Sequence, residues 1–259
     1  MAREYDATQT NILSQTRIID VPCTLACWFY ALAPGDQTVL GVSESADYAD
    51  LMILVQRDTD YVSALVSNDG GDVNYEIADS PLSIIGDIWY HIAAVFANDS
   101  YRICYLDGSP GTANTNTLGL TSGIDNATIG CLRTGGGFFT LLEGIVADAG
   151  FWNVALSAEE IAALAQGYSA EFIRPQNLQI YAPIIRGTPV DKMSGVAFTE
   201  TGTPTDFVHD YGALYPAPPM GISYESAIAG GWTGKINGVT SPAAVNSVLA
   251  ANIQSINAI

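Results

Sequence analysis

Cleaving a glycosidic bond takes two facing carboxyl groups, about 5–5.5 Å apart for a retaining mechanism and about 6.5–9.5 Å for an inverting one. The chain carries 27 acidic residues, and three closely spaced pairs are candidates. Glu76 and Asp79 have the wrong interval to share one strand face, Asp58 and Asp60 fall in a turn, and Glu159 with Glu160 opens a helix. None offers the required pair, so the chain is expected not to be an enzyme. His91 lies in an apolar run beside Ala93 and Val95, while His209 stands near Asp206 and Asp210. A metal centre or nucleophilic triad needs further partners at ligand or hydrogen-bond spacing, and both histidines read as structural.

Cys23, Cys27, Cys104 and Cys131 fall inside apolar runs, and Cys23-x-x-x-Cys27 has no second pair to complete a zinc site. They read as buried small apolar residues, with a Cys104–Cys131 disulfide left open. Trp28, Trp89 and Trp152 could stack on a sugar, but their apolar surroundings favour packing. Phe138 and Phe139, directly after Gly135-Gly136-Gly137, are the better candidates for a ligand-contact loop, because a glycine-rich loop can carry exposed rings to a partner. Packing across a sheet edge is the alternative for this pair.

Short β-rich runs separated by turn chemistry must position these residues. Residues 51–57 and 61–67 are joined by Asp58-Thr59-Asp60, and Asn68-Asp69-Gly70-Gly71-Asp72 turns the chain into 73–77, a meander. The run 89–96 is apolar on both faces. In 101–106, Tyr101, Ile103 and Tyr105 share one face and Arg102, Cys104 and Leu106 the other, before the Asp107-Gly108 hairpin signal. Partial cover on both faces predicts a central strand of stacked sheets. One helix of about two turns is predicted: Ser157-Ala158-Glu159-Glu160 is a capping box, Ile161, Leu164 and Ala165 give an apolar face, and Gly167 a stop.

Hydrophobic residues make up 48% of the 259 and charged residues 14%, a composition that supports a packed core. The net charge of −18, with nine scattered basic residues, opposes binding to nucleic acid or to an anionic membrane and suits solubility. No stretch is long and apolar enough for a membrane helix, and the opening MAREYDATQT lacks the apolar region of a signal peptide. The expectation is synthesis in the cytoplasm without export by a signal.

Five ordered blocks carry a resemblance: residues 20–28 (DVPCTLACW), 89–96 (WYHIAAVF), 105–108 (YLDG), 129–130 (IG) and 143–161 (EGIVADAGFWNVALSAEEI). In order and spacing they resemble the laminin G-like, concanavalin A-like jelly-roll domains, and residues 187–209 resemble the closing strand pair of such domains. The resemblance implies an all-β fold, a two-sheet antiparallel jelly-roll sandwich with one short helix and a C-terminal extension. It does not imply one function, because function lives in sites grafted on such folds. Hydrolases of this fold carry a Glu-x-Asp-x-(x)-Glu cluster on one concave strand, and this sequence has none. Calcium is the cofactor the fold would suit. Glu44, Asp47 and Asp50 or Asn68, Asp69 and Asp72 could contribute, but both stretches read equally well as solvated turns, and no metal ligand is assigned.

Residues 1–210 are expected to form the sandwich, 211–231 a proline- and glycine-rich linker, and 232–259 a docking tail. The tail resembles those closing tailed-phage virion proteins, and its apolar residues Ile236, Val239, Val245, Val248, Leu249, Ile253 and Ile256 are the predicted partner-binding set. The resulting expectation is a non-enzymatic virion component: a capsid decoration, head fibre or tail-associated adhesin. It would join other virion proteins through the tail, form a homo-oligomer with a trimer as first choice, and display the sandwich, with a host surface glycan as a further partner. The alternative is a carbohydrate-binding or adhesion module of a cell-surface system.

Overall fold

The computed structural model describes residues 2–207, apart from 9, 15–19, 33–34, 45–49, 56–58, 69–73, 120–123, 135 and 185–186, together with four two-residue strands between 235 and 249. The chain divides into two compact units, Met1–Ala213 and Leu214–Ile259.

The strands of the first unit are β1 (Ala2–Asp6), β2 (Thr10–Ser14), β3 (Cys23–Ala31), β4 (Gln37–Ser43), β5 (Asp50–Val55), β6 (Tyr61–Ser67), β7 (Tyr75–Ser83), β8 (Trp89–Asn98), β9 (Tyr101–Leu106), β10 (Ser109–Pro110), β11 (Asn126–Ile129), β12 (Leu132–Thr134), β13 (Gly137–Phe139), β14 (Glu143–Trp152), β15 (Leu178–Ala182), β16 (Thr199–Thr201) and β17 (Thr205–Phe207). One sheet runs β10-β9-β8-β3-β14-β1-β17, with β15 also paired to β14; the other runs β16-β2-β11-β4-β5-β6-β7. All pairings are antiparallel, and the two sheets form an all-β, jelly-roll-like sandwich.

The period-2 alternation of β3 shows how the layers arise. Leu25, Cys27 and Phe29 point into the core between the sheets, with Val42, Ile53 and Ala94. Ala26 points outward into a second cluster with Val95, Ile103, Tyr105 and Trp152, sealed by Ile161 and Leu164 of α1 (Ala158–Ala165). The helix forms as its sequence dictates: the Ser157 hydroxyl accepts from the Glu160 amide, the Glu160 carboxylate accepts from the Ser157 amide, and Gly167 follows at positive φ.

Two expectations change. The strand 101–106 is not central but penultimate, flanked outside by the two-residue β10. Its faces alternate as expected, yet the cover over Ile103 and Tyr105 comes from the helical layer rather than from a second sheet. The strand expected over 73–77 begins, among the described residues, at Tyr75 and continues to Ser83 through Pro81, while residue 73 lies outside the described residues. Proline, which has no N–H to give, is tolerated there because β7 ends its sheet and because the pairing slips between Tyr61 and Ser63. At that bulge the Ser80 hydroxyl accepts from the Val62 amide and donates to the Leu82 carbonyl, replacing the lost ladder contacts.

In the second unit, β18 (Lys235–Ile236) pairs with β19 (Val239–Thr240), and β20 (Ala244–Val245) pairs with β21 (Val248–Leu249). Both pairs are antiparallel short hairpins.

Candidate functional site

The bulge on β7 sets one wall of an open groove of about 760 Å3 at the side of the sandwich. Residues 77–81 form that wall, the segment 110–116 at the end of β10 and beyond forms the other, and Tyr61 adds to the lining. Gly111 brings the walls together, since any Cβ there would lie 1.9 Å from the Asp79 carbonyl oxygen.

The 110–116 wall is held by a buried guanidinium. Arg102, 1% exposed, donates to the carbonyls of Asp99 and Asn116 at 2.9 Å each and to Asn114 Oδ1 at 3.3 Å. Asn114 Nδ2 then donates to Glu76 Oε2 and to the Ile77 carbonyl, both at 2.8 Å, tying this segment to β7. Asn116 Nδ2 adds a 3.0 Å bond to the same carboxylate oxygen. These amide donors, with Arg102 nearby, hold the Glu76 carboxyl below the usual carboxylate range. The groove itself presents the exposed Asp79, Thr112 and Thr115. Asp79 Oδ1 accepts from the Ser63 hydroxyl at 2.8 Å.

Glu76 and Asp79 project from opposite faces of β7, because they stand three positions apart on a strand, and they do not form an acid pair. Asp60 has positive φ in the connection before β6, while Asp58 lies outside the described residues. Glu159 and Glu160 open α1, and Glu160 also binds Arg174.

The structure separates the other sequence candidates. Phe138 and Phe139 lie on β13, paired with Arg133 and Leu132, each 46% exposed and outside the groove lining. The three tryptophans all pack on the outward face of the β3 sheet. Trp152 is fully buried with Nε1 donating to the Ile173 carbonyl, Trp28 meets His91 edge-on at 5.5 Å, and Trp89 is half-buried beside Tyr30. His91 is buried, and burial pushes its pKa down to about 3, so it is neutral; its Nδ1 has no hydrogen-bond partner among the described residues. His209 lies outside the described residues.

All four cysteines are free and buried, and burial pushes every thiol pKa up, Cys131 to about 12. Among the described residues no three His, Cys, Asp or Glu side chains form a metal-binding group; Asp47, Asp69 and Asp72 lie outside that set. Of the predicted partner-binding residues, Ile236, Val239, Val245, Val248 and Leu249 fall in the short hairpins, with Ile236 opposite Val239 and Val245 opposite Val248. Ile253 and Ile256 lie outside the described residues.

The groove escaped the sequence reading because its walls come from segments about thirty residues apart. The one local signal was Asp79-Ser80-Pro81 inside an otherwise strand-like run, a polar and proline interruption that marks an edge bulge.

Comparison with known proteins addresses the fold. A heptameric SAP-like pentraxin from Limulus polyphemus superposes with a TM-score of 0.62 at 16% identity, covering 82% of this chain and 97% of the pentraxin. A protein from Bacteroides ovatus, described as carbohydrate binding, gives 0.58 at 15% identity over 79% of this chain and 59% of its own. The sialidase CBM40 module of Ruminococcus gnavus, bound to α2,3-sialyllactose, gives 0.47 at 14% identity over 62% of this chain and 99% of the module. No curated protein matches the sequence. A family model for the concanavalin A-like lectin/glucanases superfamily matches residues 6–162, the part of the chain that holds β2 to β14 and the start of α1. With more than half of its length so matched, and with the sandwich that such a match requires, the chain belongs to the concanavalin A-like lectin/glucanases superfamily.

Proposed function

We propose that the sandwich is a non-catalytic carbohydrate-binding module whose ligand lies in the groove between β7 and the 110–116 segment. The observation that carries this reading is the groove itself: a concave surface with exposed hydroxyls, a carboxylate and one tyrosine ring, held by a buried polar network. Family membership supports it, as does the fold shared with a pentraxin and with a protein described as carbohydrate binding. The lack of an acid pair on one face of β7 favours binding over hydrolysis. A glycan array probed with the full chain tests the reading. Binding to at least one glycan, abolished by Thr115→Trp in a variant of unchanged Tm, is expected; no binding to any glycan would overturn it.

The tail supports a second reading, in which the chain is a structural component of a tailed-phage virion, presenting the sandwich outward from a homo-oligomer. Ile236-Asn-Gly-Val239 and Val245-Asn-Ser-Val248 share one pattern and one hairpin register, and Ile256-Asn-Ala-Ile259 repeats the pattern. Hairpins this short are not stable alone in water, so a neighbouring chain is the natural source of cover. Residues 214–259 hold one acid and one base in a protein of net charge −18, so copies can meet there with little repulsion. Deletion of 221–259 should abolish self-association and particle association while glycan binding persists; a truncated chain that still assembles would remove this reading.

A further inference from the structure

We propose that the groove selects neutral, hydroxyl-rich glycan strands and discriminates against anionic sugars, an inference that rests on reading the groove as a carbohydrate site. Its described lining, residue 61 with 77–81 and 110–116, contains no lysine, arginine or histidine. Asp79 supplies a negative charge inside it, while the Glu76 carboxylate, outside the lining, is already balanced by Arg102, whose Nη1 lies 3.9 Å away. The nearest guanidinium cannot compensate. Arg102 is buried and committed to the Asp99 and Asn116 carbonyls and the Asn114 amide oxygen, so it faces inward on protein acceptors.

A carboxylate or phosphate entering the groove would lose water without gaining a cation, next to a like charge and within a molecule of net charge −18. A neutral sugar meets the reverse situation. Its hydroxyls can donate to the Asp79 carboxylate, an arrangement stronger than a neutral hydrogen bond, and can exchange bonds with the exposed Thr112 and Thr115 hydroxyls. Tyr61, half-buried, adds an aromatic side chain to the lining. The five residues 77–81 span about 14 Å at strand rise, which suits a chain lying lengthwise rather than a single ring.

The test titrates the full chain with neutral oligosaccharides and with their uronate-bearing or sialylated counterparts, at about 0.05 M and about 1 M salt, where charge effects are strong and then largely screened. Neutral ligands should bind at least about tenfold tighter at low salt, with the gap shrinking at high salt. Asp79→Asn should narrow the gap and Thr112→Lys should close or reverse it, each without moving Tm. Equal or tighter binding of anionic glycans that Thr115→Trp abolishes would overturn this proposal and leave the carbohydrate-binding reading standing. Discrimination that neither charge variant alters would overturn the assignment to this groove, and absence of any glycan binding would overturn both.

Discussion

Gly111 stands so close to β7 that a Cβ on it would sit 1.9 Å from the carbonyl oxygen of Asp79, a backbone atom that cannot turn aside. The contact sews the β10 edge of one sheet to the β7 edge of the other and brings the groove walls together. Gly111→Ala should therefore part the walls, with a loss of about 1–3 kcal/mol in urea unfolding, the usual cost of forcing extra volume into a packed site. Gly86→Ala is the control: its nearest neighbour would be Ala31 O at 3.8 Å, an ordinary contact, and its stability should change by less than about 0.5 kcal/mol.

Arg102 is the centre of the wall opposite β7. Its removal leaves two carbonyls, an amide oxygen and the Glu76 carboxylate, 3.9 Å from Nη1, without their cation. Arg102→Met should cost about 3 kcal/mol by denaturant titration, the range for breaking one side of a buried charged contact. Arg102→Lys should recover little of it, since an ammonium cannot span the three acceptors that the planar fork reaches.

Asp148 occupies the bulge of β14 at positive φ, with Oδ1 accepting from the Tyr181 hydroxyl at 2.6 Å. Burial raises its pKa to about 6, against the lowering effect of that hydrogen bond and of Lys192. The unfolded value is about 3.9, so the folded state binds the extra proton. The group leaves the fold unpenalised below about pH 3.9 and costs stability as pH rises through 6. Asp148→Asn should flatten the pH dependence of stability between about 4 and 6 and raise stability at pH 8 by on the order of 1–2 kcal/mol. A steeper profile in the variant would contradict this assignment of the proton.

The four thiols should resist chemistry in the folded protein. Burial favours their neutral form, and the thiolate is the nucleophile. Iodoacetamide at pH 8 should modify none of Cys23, Cys27, Cys104 and Cys131 in the native state and all four in guanidinium, as counted by intact mass. Modification of any of them at a rate independent of unfolding would show an open path to the interior.

Much of the architecture is local and therefore readable. Alternation in residues 101–106 assigns Ile103 and Tyr105 to one face and Cys104 and Leu106 to the other, because strand geometry leaves no other choice. Ser157 and Glu160 cap their helix through bonds spanning three residues. The same locality explains what the reading misplaced: 101–106 is covered on its outer face by Ile161 and Leu164, residues too distant in sequence for the strand's own pattern to register.

The amino-acid sequence by itself determined the layers, the cap, the buried thiols and the absence of a hydrolase acid cluster, since each depends on residue type and near neighbours. Only the tertiary structure decided where a ligand could lie. Asn114 reaches Glu76 across 38 positions, and Gly111 meets Asp79 across 32, so the groove exists only after two sheet edges have closed on each other. Asp79, Thr112 and Thr115 are ordinary polar residues in one dimension, and folding places them along a single hollow.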